Sequence, residues 1–296
     1  MTLFLGSLEL GLIYGFLAIG IYMSFRILNI PDLTAEGSFT FGLVVSAVAT
    51  QAGHPILGIA LALLAGALSG VVTGALNVYL KIPAILAGIL TMSGLYSVNL
   101  LAMGSKSNMT LIGKDTIFQV AAPLCGGSLN MSKMLVNIVL VALCIVLLHY
   151  FFKTRIGLSI RATGDNEDMV RASSINIKIT KILALAISNG IIAVSGGILA
   201  QYQQFADISS GVGMLVVGLA SVIIGEAFLG QKGVLSGLCA AVLGSVVYRL
   251  LIALAYQTNI FPTAAFRLLS AVIVTIALAI PALKQFYEMS RAKRRI

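Results

Sequence analysis

Few residues in this chain have the types and spacing to do chemistry, and the spacing excludes most of it. A phosphate-binding loop needs a lysine followed by a hydroxyl residue after a glycine-rich turn, so that backbone amides and the lysine cradle the phosphates. The nearest approach, Gly225, Gly230 and Lys232, has a different spacing and no hydroxyl after the lysine. His54 and His149 stand alone, short of the ligand count of a zinc centre. Cys144 and Cys239 lie in apolar runs, Cys125 lies in a loop, and no C-x-x-C pair occurs. No nucleophile, base and orienting group line up for catalysis. The residues therefore describe a chain that is not an enzyme and needs no cofactor of its own.

Two kinds of charge remain. Glu9, Glu226 and Arg249 interrupt apolar runs, where charge is costly and marks a functional suspect. Glu9 and Arg249 fall in the outer third of their spans. They can pair, or Arg249 can snorkel to the interface while Glu9 reaches headgroup water, which is the favoured reading. Glu226, four residues before the turn Gly230 to Gly233, suits a gate residue or an interfacial carboxylate equally. The second kind is the run Lys153 to Lys178, KTRIGLSIRATGDNEDMVRASSINIK, the densest in charge. Within it Asp165 or Asn166 can cap a helix, and Glu167 and Asp168 place negative charge where the helix dipole favours it. Met169, Val170, Ala172 and Ser173 add a small compact face, the form of a helix that docks into a partner's groove.

The elements that must position these charges are membrane helices. Of 296 residues, 59% are hydrophobic and 10% charged, against about 25% charged in soluble domains. Apolar runs recur at about 3–25, 39–50, 56–80, 84–103, 134–152, 179–202, 212–229, 234–256 and 266–283, near the ~20 residues that cross a bilayer. The expected fold is an all-α, polytopic transmembrane bundle of eight to ten spans, one transmembrane domain over 1–296 with a cytoplasmic segment at 153–178. The first run lacks a basic leader and reads as a retained span. Pro31 must interrupt any helix through ILNIPDLTAEGSF. The short run 39–50 then suggests a partly unwound or re-entrant entry, tolerated at membrane depth only beside protein or a wet cavity. On that ground Asn29, Asp32, Thr34 and Glu36 are candidates for a translocation path, with Glu226 as a gate; capping is the competing role for Asp32. Gly66, Gly70 and Gly74 flatten one helix face for close packing, and Ser195, Gly196 and Gly197 offer another such patch. The loop 104–133 holds a small amphipathic element near 117–122.

The net charge of +9 comes from basic residues at span ends and in one loop, a pattern of membrane orientation and not of nucleic-acid binding. The run 153–181 and the tail KQFYEMSRAKRRI are both basic, so both belong in the cytoplasm. With nine crossings the count puts the N-terminus and the loop 104–133 outside; if the run 33–50 or 212–229 is re-entrant, the number of spans drops and the N-terminus flips.

The run GLSIRATGDNEDMVRASSIN resembles the cytoplasmic loop motif of ABC-importer permease subunits of the branched-chain amino acid and ribose family, G-x-x-x-R-A-x-G-x-N-E-x-A-A-x-x-x-G-I-N. Gly157, Arg161, Ala162, Gly164, Asn166, Glu167, Ala172, Ile175 and Asn176 match. Asp168 and Met169 depart from it, as does Ser174, which stands where glycine is usual. NIPDLTAEGSF is similar to the subgroup often labelled tryptophan or tyrosine transport permeases. The resemblance implies cytoplasmic ATPase subunits, a second permease copy, an extracytoplasmic substrate-binding protein, and a bacterial-type inner membrane. It implies that Arg161, Gly164, Asp165, Asn166, Glu167, Asp168, Met169, Arg171 and Ala172 form the coupling helix and ATPase contact. The solute implied is small and polar, an amino acid or related compound. The alternative is a stand-alone secondary transporter or channel with Glu226 and Glu9 as ion-linked groups.

Overall fold

The chain is described here from a computed structural model, over residues 2–125, 128–230 and 233–257 together with Val272 and Thr275. Helix α1, Thr2–Ile21, continues as a π-helical turn, Tyr22–Ile27. Asn29, in the left-handed region at φ 56°, and Pro31, which cannot continue a helix, turn the chain back on itself. It re-enters helix as α2, Thr34–Gln51, whose first residues lie beside Asn189, near the middle of α9 (Ile177–Gln203). The helix thus begins inside the bundle, beside α9 and the next two helices of the chain, in agreement with the expected broken entry. Helix α3, Pro55–Tyr79, opens with proline at a position whose N–H has no helical partner. Helix α4, Ala84–Ala102, follows.

Beyond α4 the strand β1, Asn108–Thr110, pairs antiparallel with β2, Phe205–Asp207. The short α5, Ile117–Ala121, is the expected amphipathic element, and a capping box of Thr116 and Gln119 fixes its start. Helix α6, Leu129–Phe151, begins at Leu129 and not near Met134 as the hydropathy suggests. Its polar first turns are held at the outer end, where Ser132 donates to the Phe118 carbonyl (2.6 Å).

The charged run contains two helices where one was expected. Helix α7, Arg155–Asp165, is capped by Thr154, and α8, Glu167–Ala172, by Asn166. Asp165 closes the first of these. Helix α7 was hidden in the linear pattern because its buried residues, Gly157, Ile160 and Thr163, are interleaved with arginines. Helix α9 follows, then α10, Met214–Leu229, and α11, Val234–Gln257.

Six of the described helices are long and apolar enough to span a membrane, so the chain is a polytopic all-helical membrane protein. Helix α9 is the most buried of them and α6 the least. Helix α10, with 16 residues, is about 24 Å long at 1.5 Å per residue and does not span alone. The expected run at 266–283 and the basic tail lie outside the described residues. Glu9 accepts a hydrogen bond from the Tyr202 hydroxyl (2.8 Å), so α1 starts at the end of the bundle opposite α7 and α8. The structure thus sets the N-terminus and the basic α7–α8 segment at opposite ends of the bundle, the relative placement that the nine-span count implies.

Close packing at the centre depends on glycine. A Cβ at Gly70 would collide with the Leu185 carbonyl, and one at Gly66 with the Asn189 carbonyl. The four-residue glycine spacing of α3 thus lets its backbone touch that of α9.

Candidate translocation site and coupling surface

Helices α2 and α10 both start inside the membrane and run to opposite faces. Helix α2 rises to the outer end, where Ser46 meets the Gly197 carbonyl and Gln201. Helix α10 descends to the cytoplasmic end, where Glu226 pairs with Arg26. Their N-termini converge on Glu36. This residue lies in the first turn of α2, and its carboxylate accepts from the backbone N–H of Gly213 (3.0 Å), immediately before α10. The Leu215 amide donates to it as well. A carboxylate held there meets the positive ends of two helix dipoles, an arrangement that broken membrane helices use around a midplane site.

The two sides of the α2 entry differ. On one side, Asp32 accepts from the Thr34 N–H (2.9 Å) and from Asn189 Nδ2 (2.6 Å). Ser38 donates to Asn189 Oδ1 (2.7 Å) and contacts the Ser69 hydroxyl (2.6 Å). Thr34 meets Thr73 (2.7 Å), which donates to Thr91 (2.9 Å). This network joins α2, α3, α4 and α9. Asp32 is 4% exposed and Thr34 is fully buried. Both are sealed among helices, and Asp32 caps the start of α2, the competing role the sequence offered for it. Asn29 sits at the exposed turn below.

On the other side, Glu36, Thr40, Ser93, Tyr96 and Asn99 line an open cavity of about 440 Å³, bordered by the loop through Ile208 and Val212. Asn99 is 1% exposed, and its Oδ1 has no hydrogen-bond partner. A buried acceptor without a partner costs free energy unless something occupies the space before it. Of the four candidates at the broken entry, Glu36 faces this cavity. Thr40, Ser93, Tyr96 and Asn99 were not singled out in the sequence. Their only signal is polarity inside apolar helices, which the residues of the buried network share.

At the cytoplasmic end Tyr22, Arg26, Arg161, Asp165, Glu226 and Gly237 surround a second cavity of about 280 Å³. Glu226 is therefore ion-paired to Arg26 across α10 and the π-turn, and Arg161 and Asp165 of α7 border the same space. Gly164 packs so closely under the turn that a Cβ would strike the Ile27 carbonyl. In α8, Asn166 accepts from the Met169 N–H (3.1 Å) and Glu167 pairs with Lys181 (2.5 Å). Val170 is buried, whereas Asp168, Met169, Arg171 and Ala172 are exposed. The exposed face is thus more charged than the compact apolar one expected. Ser174 adopts φ 59°, the left-handed turn that glycine serves at lower cost.

Glu9 and Arg249 depart from the expectation of snorkelling. Glu9 is 6% exposed and bonded to Tyr202. Arg249 stacks on the Tyr14 ring at 3.8 Å, a cation–π contact within the bundle.

Comparison with known proteins agrees with this architecture. The model of the branched-chain amino acid transport system permease component family matches residues 3–278. The chain is 35% identical over 283 residues to a tyrosine transport system permease protein of Clostridioides difficile, covering 95% of this chain and 92% of that protein. It is 28% identical over 245 residues to an inner membrane ABC transporter permease protein of Escherichia coli K12, covering 82% and 68% respectively. It is 34% identical over 185 residues to an autoinducer 2 import system permease protein of Escherichia coli O9:H4, covering 62% and 51%. No solved structure matches the chain at a significant level. The match over nearly the full chain makes it a permease component of an ABC transport system, a multi-pass inner-membrane protein of the branched-chain amino acid permease family.

Proposed function

We propose that this chain forms the membrane pathway of an ATP-driven importer for an amino acid or related small polar solute, with Glu36 at its centre. The observation that carries the reading is the junction of α2 and α10. Two helix N-termini and a carboxylate meet beside a cavity in which Asn99 presents an unpartnered acceptor. Carboxylate and amide acceptors suit a solute rich in N–H donors, such as one bearing an ammonium group. The tyrosine permease relative supports an amino acid as the first solute to try.

In this reading cytoplasmic ATPase subunits engage the exposed face of α8, with Asp168, Met169 and Arg171 as contacts and Glu167 bracing the helix on Lys181. Motion reaches the membrane through α7, whose Arg161 and Asp165 border the Arg26–Glu226 pair at the end of α10. A second permease copy completes the channel, and an external binding protein delivers the solute. Glu226 serves as a latch on the cytoplasmic side.

The test is uptake of radiolabelled tyrosine by proteoliposomes holding the full chain, the ATPase that co-purifies with it and the matching external binding protein. ATP-dependent uptake is expected. A D168A/R171A variant should insert normally and lose uptake while ATP hydrolysis continues. Gradient-driven flux by the chain alone, without the ATPase, would overturn the reading in favour of a secondary transporter.

A further inference from the structure

A third cavity, of about 490 Å³, lies at the cytoplasmic edge between the α3–α4 turn and the start of α9. Its charged lining is Lys81, Arg171, Lys178 and Lys181 against the single carboxylate of Glu167. Glu167 is taken by Lys181 at 2.5 Å. Among the described residues no carboxylate lies within ion-pair distance of Lys81, Arg171 or Lys178. Lys81 is held in the left-handed conformation at φ 55°, and Asn77 fixes the same turn by donating to the Ile82 carbonyl (2.9 Å). The first turn of the long helix α9, opened by Asn176, adds the positive end of its dipole. Like charges gathered in one concave site repel one another unless an anion joins them.

The rim of this cavity is apolar and exposed. Tyr79 is 62% exposed, Leu80 65% and Ile179 52%. Lys178 lies 5.3 Å from the Tyr79 ring, the aromatic and basic pairing found where protein meets lipid headgroups. From there Val72, Leu68 and Leu64, at four-residue spacing, form an exposed apolar stripe along α3. A basic pocket at the cytoplasmic interface that opens onto an exposed apolar helix face suits a phosphate joined to acyl chains.

We propose that this cavity binds the phosphate of an anionic phospholipid, seated against Lys81, Lys178 and the start of α9, with its acyl chains along α3. The site adjoins α8, so the membrane's anionic lipid sets the position of the helix that meets the partner.

The test is native mass spectrometry of the full-length chain released from nanodiscs of equal phosphatidylglycerol and phosphatidylcholine. Phosphatidylglycerol should be retained in preference to phosphatidylcholine. The K81Q/K178Q variant should lose that retention about tenfold or more. A K153Q/R155Q variant, which removes equal charge elsewhere on the same face, should keep it. Inorganic phosphate should not displace the lipid. Equal retention of both lipids, unchanged retention in K81Q/K178Q, equal loss in both variants, or displacement by phosphate alone would each overturn the proposal.

Discussion

Thr34 and Glu36 are two residues apart in the first turn of α2 and face opposite surroundings. Thr34 belongs to a buried network in which Asp32, Ser38, Ser69, Thr73, Thr91 and Asn189 all have partners. Glu36 belongs to a cavity in which Asn99 Oδ1 has none. Polar residues in a membrane are costly in either setting. A satisfied group returns that cost as rigid helix packing, whereas Asn99 Oδ1 does not. The same short element thus divides into a side that packs helices and a side that lines the cavity of the proposed pathway.

Substitutions on the two sides should separate stability from uptake. The largest effect is expected from Asp32→Ala, which leaves Asn189 Nδ2 and the start of α2 without their acceptor. Loss of a buried network partner costs about 3 kcal/mol, so thermal melting in detergent and uptake should fall together. Normal melting with lost uptake would move Asp32 to the cavity side.

Glu36→Gln keeps an oxygen for the Gly213 amide and removes the charge. Uptake should fall about tenfold, equivalent to about 1.4 kcal/mol, with melting nearly unchanged. Asn99→Leu removes an acceptor that has no protein partner. Uptake should fall by a similar or smaller factor, and melting should hold or rise, since an apolar group no longer strands a buried oxygen. A large drop in melting for either variant would erase the distinction between the two sides. The smallest effect belongs to Thr73→Val, which keeps the shape and removes one hydroxyl from the network. About 1 kcal/mol of stability should be lost with uptake intact, read by denaturation in mixed micelles beside a transport assay.

Much of the fold was legible in the sequence. The apolar runs marked the described spans, Pro31 marked the broken entry, and glycines at four-residue spacing marked the α3 face that meets α9. Helix α7 was not legible, because its buried face is short and interleaved with Arg155 and Arg161. Of the candidate path, Glu36 was named for its place beside a helix break, and Asp32 was set apart from it by its competing role as a cap, which it fills. Asn99, Ser93 and Thr40 were invisible because a lone polar residue in a span carries no periodic signal. Glu9 and Arg249 were read as reaching water because a linear sequence does not reveal Tyr202 or Tyr14 beside them.

The sequence by itself determined that this chain is a helical membrane protein, which end of it is basic, and where its helices break. Those properties are local: hydropathy, backbone restriction and loop charge act over one to three turns. Only the tertiary structure decided which polar residues are satisfied and which wait beside a cavity. Asp32 finds Asn189 across 157 positions, and Glu36 finds Gly213 across 177. Hydrogen bonds act over about 3 Å, so their partners are settled only when helices distant in sequence pack against one another.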